Sequence, residues 1–137
     1  MSERLDYIRI EPKRILDLGC GPGSDLAAFA ARYPGTPRIA IDSAPAMLAQ
    51  ARGERGLLKR LMNFGKPAEP DFACADATAL PLARGSVSLA WSNLMLQWLH
   101  DPLPALKEIN RVLEVGGLLM FSTLGPDTLK ELRAALP

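Results

Sequence analysis

One histidine and two cysteines in 137 residues leave little from which to build a metal centre or a disulfide framework. Cys20 and Cys74 lie far apart and outside any C-x-x-C arrangement, and His100 stands alone before Asp101-Pro102, as a surface or capping group more than a general base. Excess charge of one sign is lacking as well. Sixteen Lys and Arg against fifteen Asp and Glu leave a formal charge of +1, which gives no global attraction to nucleic acid or a membrane surface. No apolar run reaches membrane-spanning length, and the opening Met-Ser-Glu-Arg-Leu-Asp lacks the layout of a signal peptide. These absences predict a soluble, cytoplasmic protein with no metal and neither nucleic acid nor membrane as partner. Internal repeats and low-complexity segments are missing too, so residues 1–137 read as one domain.

What is present is an alternation of short apolar runs and helical patterns, with 48% of the residues hydrophobic. Strands are predicted at Arg14–Leu18, Arg38–Ile41, Phe72–Ala75, Val87–Trp91 and Leu118–Ser122. Leu26, Phe29, Ala30 and Tyr33 recur at helical spacing after Ser24 and Asp25, which are plausible N-caps. A second helix follows Pro45 with Met47, Leu48 and Ala51 on its apolar face. A third carries Ala105, Leu106, Ile109, Val112 and Leu113 and is closed by Gly116 and Gly117, and a last one starts at Asp127 with Leu129, Leu132 and Leu136. Strands separated by such helices pair in parallel through right-handed crossovers. The expected fold is an α/β, Rossmann-like open sheet of about five parallel strands in the order 3-2-1-4-5, with helices on both faces and the last strand's edge uncovered.

Residues 15 to 23, Ile-Leu-Asp-Leu-Gly-Cys-Gly-Pro-Gly, place three alternate glycines where the first strand opens into a helix. Such a loop lets the backbone approach a nucleotide-like ligand closely. A dinucleotide fingerprint would run G-x-G-x-x-G or A, but Ser24 stands at the third position and Pro22 withholds an N–H. Asp17 adds negative charge beside the loop, a poor neighbour for a phosphate and a good one for an ammonium or sulfonium. The pattern favours a cationic, phosphate-free nucleoside, S-adenosyl-L-methionine being the evident candidate. Asp42 closes the second strand, where a carboxylate accepts from ribose hydroxyls. Asp76 closes the third, where an acid accepts from an adenine amino group and the Ala77 N–H meets a ring nitrogen. Ser92 and Asn93 close the fourth, beside the expected reactive end. Trp91, Trp98 and Met95 are core or pocket walls, and Cys20 contributes backbone, having no Lys, Arg or His near it in sequence.

Ile15 to Gly23, Ile39 to Met47 and Ala75 to Leu82 resemble three motifs of the class I S-adenosylmethionine-dependent methyltransferases, and Arg111-Val-Leu-Glu-Val-Gly-Gly resembles their turn into the fifth strand. The resemblance implies a cofactor-binding set of Asp17, Gly19, Cys20, Gly21, Gly23, Asp42, Ser43, Met47, Asp76, Ala77 and Asn93. Ser92-Asn-Leu-Met-Leu-Gln-Trp98 and Phe121-Ser-Thr-Leu-Gly-Pro-Asp-Thr-Leu-Lys-Glu-Leu-Arg133 are similar, more narrowly, to the malonyl-acyl-carrier-protein O-methyltransferase family of biotin synthesis. The second of these stretches is also similar to an arginine-hydroxylating assembly factor of the same fold. That family places helices before the first motif and two strands plus a substrate cap after the fifth, so the chain resembles the cofactor-binding core of a longer protein.

Transfer of a methyl group to an ionised carboxylate needs positioning more than a base, so no catalytic residue is named. Asn93 and Gln97 either orient ligand or pack. Arg52, Arg55, Lys59, Arg60 and Lys66 form either a dock for an acidic acyl carrier protein or an ordinary solvated face. The competing classes are a nicotinamide oxidoreductase, which the loop spacing opposes, and a non-catalytic core that self-associates through its uncovered sheet edge.

Overall fold

Three adjacent strands, buried along most or all of their length, mark the middle of the molecule. In the computed structural model, which describes residues 2–53, 69–125 and 127–135, β1 (Ile15–Leu18) is buried along its whole length. It lies between β2 (Arg38–Asp42) and β4 (Val87–Asn93), with β3 (Asp71–Cys74) and β5 (Leu113–Ser122) at the two edges. All neighbours are parallel, in the order β3-β2-β1-β4-β5. This is the predicted sheet, with β1 and β3 each beginning one residue from the expected point.

Alternation along the strands sorts the core onto two faces. Leu16, Leu18, Ile41 and Ala90 meet Ala105, Ile109 and Val112 of α3 (Leu103–Val112) on one face. Ile15, Leu89 and Trp91 meet Phe29 of α1 (Leu26–Arg32) on the other, while Ala40 and Leu26 pack with Leu48 of α2 (Pro45–Gly53). The α3 stripe has the helical spacing of a one-sided surface helix. Val87 joins the α3 face although Leu89, two residues on, faces α1: the Ser88 and Leu89 N–H groups both donate to the Arg14 carbonyl, which breaks the alternation of β4, and the register against β5 shifts at the same point.

The same shift corrects the prediction for the end of α3. The helix stops at Val112, and Leu113 is already extended (φ −68°, ψ 135°) and paired with Val87. Glu114 to Gly117 bulge out before Leu118 pairs with Leu89. Gly116 adopts φ 82° there, and a Cβ on Gly117 would fall 2.9 Å from the Glu114 carbonyl oxygen. The two glycines therefore shape a bulge in β5 rather than close a helix.

Two terminal segments also differ from expectation. Ser2–Tyr7 forms a 3-10 turn that inserts Leu5, 1% exposed, beside Phe29 and Trp91. Arg32 of α1 holds that turn through the Asp6 carboxylate and the Leu5 carbonyl. At the other end α4 spans Lys130–Ala135, beginning after Leu129, whose φ of 56° interrupts the predicted helix. Leu129 and Leu132 stay more than half exposed or nearly so, and Leu136 lies outside the described residues. Arg52 stacks its guanidinium over Phe72 at 5.3 Å and donates to the Phe72 carbonyl at 3.1 Å. The rest of the basic stretch, Arg55, Lys59, Arg60 and Lys66, lies outside the described residues. No helix among the described residues is long and apolar enough to cross a membrane.

Candidate functional site

The carboxyl ends of β1, β2 and β3 and the segment after β4 enclose a cavity of about 500 Å³. Its lining is Leu18, Gly19, Gly21, Asp42, Ser43, Ala44, Met47, Ala75, Asp76, Ala77, Leu94, Met95, Trp98 and Leu99. This is where an open parallel sheet places its ligands, at the point where strand order reverses.

The glycine loop is pinned by backbone. Gly19 and Cys20 both donate to the Ile41 carbonyl, at 2.8 and 3.1 Å, and the Gly23 N–H returns to the Cys20 carbonyl at 2.9 Å. At Gly19 glycine is required twice over. Its φ is 75°, and a Cβ there would meet Met95 Cγ at 2.3 Å. Asp42 fastens the loop from the side: Oδ2 accepts from the Gly21 N–H and Oδ1 from the Ala44 N–H, each at 2.8 Å. Each of these oxygens keeps a lone pair for a further donor, and Asp42 is part of the cavity lining. Asp76 takes the Thr78 N–H at 2.7 Å and its hydroxyl at 2.8 Å, both on Oδ1, which holds its carboxyl below the usual carboxylate range and leaves Oδ2 for another donor. Behind it, Glu108 and Arg111 of α3 clip the Leu80–Leu82 turn. Glu108 Oε2 accepts the Leu80 N–H, and Arg111 donates to the Leu80 and Leu82 carbonyls and to both Glu108 oxygens.

Of the residues expected at a cofactor, Gly19, Gly21, Asp42, Ser43, Met47, Asp76 and Ala77 line this cavity together. Asp17, Cys20, Gly23 and Asn93 do not. Asp17 shares the α1 face with Ile15, is 3% exposed, and has Oδ2 without a hydrogen-bond partner. Burial, then the charges of Asp25 and Asp42, push its carboxyl up to about 7. The Cys20 thiol is buried and pushed up to about 12, by burial and then by Asp17 and Asp42, so it is no nucleophile. Gly23 serves packing, since a Cβ there would lie 3.2 Å from Ala51 Cβ of α2. Asn93 is outside the lining: its amide nitrogen donates to Asp25 Oδ2 at 3.3 Å and its oxygen accepts from the Ser122 hydroxyl at 2.6 Å.

Asp25 likewise departs from its predicted role. It makes no side-chain cap on α1; Oδ2 instead accepts the Trp91 indole N–H at 2.8 Å. Trp91 is core, fully buried and edge-on to Phe29, whereas Met95 and Trp98 are cavity walls. Gln97 braces the short 3-10 turn Leu96–Trp98 by donating to the Leu94 carbonyl at 2.6 Å, and is not part of the lining. Leu94 and Leu99 complete the apolar wall, a role that residue type alone does not announce. Leu94 has φ 54°, a conformation costing a non-glycine residue roughly 1–2 kcal/mol.

One wall is therefore polar and acidic, the other apolar, and no Lys or Arg belongs to the lining among the described residues. Such a site matches a ligand with hydroxyl and amine donors, a flat apolar face and positive charge, and not one with a pyrophosphate. No group of three or more His, Cys, Asp or Glu side chains among the described residues is placed to share a metal ion.

Comparison with known proteins gives the same direction. A curated relative from Methylovorus sp. strain MP688, named malonyl-acyl-carrier-protein O-methyltransferase, is 50% identical over 98% of this chain, and a protein of that name from Laribacter hongkongensis is also 50% identical. The chain spans 45% of the length of each. Among solved structures, an S-adenosylmethionine-dependent methyltransferase from Methanosarcina mazei superposes with a TM-score of 0.76 at 25% identity, over 96% of this chain and 62% of that one. The methyltransferase domain profile matches residues 16–121, from the second residue of β1 to near the end of β5. The chain belongs to the methyltransferase domain family.

Proposed function

We propose that the cavity binds S-adenosyl-L-methionine and that the chain supplies the methyl-donor half of an enzyme that esterifies the free carboxylate of malonyl-acyl-carrier protein. The observation that carries the cofactor is the single cavity uniting the Gly19–Gly21 backbone, two strand-end carboxylates and an apolar wall without a cation. Asp42 accepts from the ribose hydroxyls with its remaining lone pairs. Asp76 Oδ2 accepts from the adenine amino group, the Ala77 N–H meets a ring nitrogen, and Met47 and Leu99 pack on apolar surface. When bound, the cofactor supplies an electrophilic methyl group on a sulfonium.

The acceptor reading rests on the relatives named for that reaction and on the stretches following β4 and β5. A malonyl carboxylate is ionised near neutral pH, so the protein's work is to orient the two reactants and exclude water. No side chain is needed as a base. The resemblance supports a role for the product in biotin synthesis, where the ester would mask the charge before chain elongation.

Calorimetry with S-adenosylhomocysteine tests the first half: heat and a raised melting temperature are expected, with neither from NAD. No response at millimolar concentration overturns the cofactor. For the second half, a protein of the relatives' full length that contains this chain is given malonyl carrier protein and methyl-labelled cofactor. A labelled methyl ester on the malonyl group is expected, and its absence with cofactor still bound overturns the acceptor.

A further inference from the structure

The apolar wall of the cavity begins in a kink that its own residue disfavours. Leu94 sits at φ 54° and is 48% exposed, so neither backbone preference nor burial keeps it there. Hydrogen bonds from β5 do. The Leu94 N–H donates to both the carbonyl oxygen and the hydroxyl oxygen of Ser122, each at 3.1 Å.

That hydroxyl is itself oriented. Ser122 Oγ donates to Asn93 Oδ1 at 2.6 Å, so its proton is committed and its lone pairs face the Leu94 N–H. The Asn93 amide is fixed in turn by donating to Asp25 Oδ2, the oxygen that also receives the Trp91 indole. The chain of bonds thus runs from the start of α1, across β4, to the end of β5, and finishes at the kink. Immediately beyond it, Met95 lies over Gly19 and Trp98 stands 83% exposed at the cavity.

We propose that Ser122 is a positioning residue for the nucleoside cavity: its hydroxyl, aimed by Asn93, holds Leu94 in the left-handed conformation that lays Met95 over the glycine loop. Ser122 is absent from the lining, so it acts through Leu94 and Met95 and not by touching ligand. The inference rests on the cavity being the S-adenosylmethionine site.

Ser122→Ala deletes the hydroxyl and keeps the carbonyl bond, whereas Ser122→Thr keeps both. In the alanine variant S-adenosylhomocysteine is expected to bind about tenfold more weakly, the loss of one net hydrogen bond, and the Leu94 amide to exchange faster with solvent. The threonine variant restores both readouts. An alanine variant that binds as the parent does, or whose Leu94 amide exchanges at the parental rate, overturns the proposal. So does an affinity loss shared by Ser122→Thr, or one accompanied by faster exchange of the core amides in β1. If the parent itself binds no S-adenosylhomocysteine, the cofactor reading has failed, and amide exchange in the free protein still decides whether the hydroxyl holds the kink.

Discussion

Met95 occupies the space that a side chain on Gly19 would need: the Cβ of an alanine there would fall 2.3 Å from Met95 Cγ and 2.6 Å from Met95 Cβ. The glycine loop and the wall opposite are thus one packed unit. Gly19→Ala combines that overlap with an unfavourable φ of 75°, and is expected to destabilise the fold by roughly 2–4 kcal/mol and abolish S-adenosylhomocysteine binding. At Gly21, where nothing lies within 4 Å of the built Cβ, only the backbone cost of about 1 kcal/mol remains. Chemical denaturation of the two variants checks this order.

Asp17 makes stability depend on pH in the direction opposite to an ordinary paired acid. Its carboxyl is raised from 3.8 to about 7, so the native state holds a proton that the unfolded state has already released. Stability therefore falls as pH rises from about 4 to about 7, by roughly 4 kcal/mol in total, and levels off above that. Asp17→Asn removes the dependence. Its melting temperature is expected to exceed the parent's at pH 8 and to converge with it near pH 4.

Glu108 acts the other way. Hydrogen bonds from Arg111 and from the Leu80 N–H hold its carboxyl at about 2, below the usual 4.5, so its contribution is complete above about 4.5 and is lost as pH falls through about 2. Glu108→Gln is expected to melt below the parent at pH 7, with the gap closing toward pH 2. Thermal scans across that range measure it.

Asp42 and Asp76 border the same cavity but are tied differently, and their variants are expected to separate. Asp42→Ala strands the Gly21 and Ala44 amides and lowers both melting temperature and S-adenosylhomocysteine affinity. Asp76→Asn keeps an acceptor for Thr78 and places an amide nitrogen where the proposed ligand would need an acceptor. Affinity falls about tenfold or more, with melting little changed. Equal melting losses in the two variants would sink the distinction.

Trp98 offers an internal reporter. It is 83% exposed at the cavity while Trp91 is 0% exposed, so iodide quenches essentially one indole. Added S-adenosylhomocysteine is expected to protect that indole, and unchanged quenching at saturation argues against Trp98 as part of the occupied wall.

Periodicity and composition were enough to read the parallel strands and the polar wall, because buried parallel strands are continuous apolar runs and the acids at their ends interrupt them; the order of the strands came with the doubly wound fold class. Asp17 shows the limit of that reading. Its place at a strand end is evident, but the side chain follows the alternation of β1 and lies with Ile15, away from the cavity that Leu18 borders. Leu94 left no trace, since nothing in a leucine signals positive φ. Leu5 lies in an opening stretch too short for a pattern to announce the 3-10 turn that buries it. Gly116 and Gly117 signalled a turn correctly, yet the same chemistry serves a helix end or a strand bulge, and pairing with β4 decides which.

The strand order also governs how the chain reaches this structure. Every neighbouring pair in the sheet is parallel, and the central strand must find Leu89 of β4 as the partner of Ile15. At ribosomal rates the intervening stretch takes roughly 4–15 seconds to make. Through that interval Ile15, Leu16 and Leu18 have one side unpaired, open to chaperones or to a second nascent copy. The pairing of β1 with β4 is thus a contact of high sequence separation, the kind that slows folding.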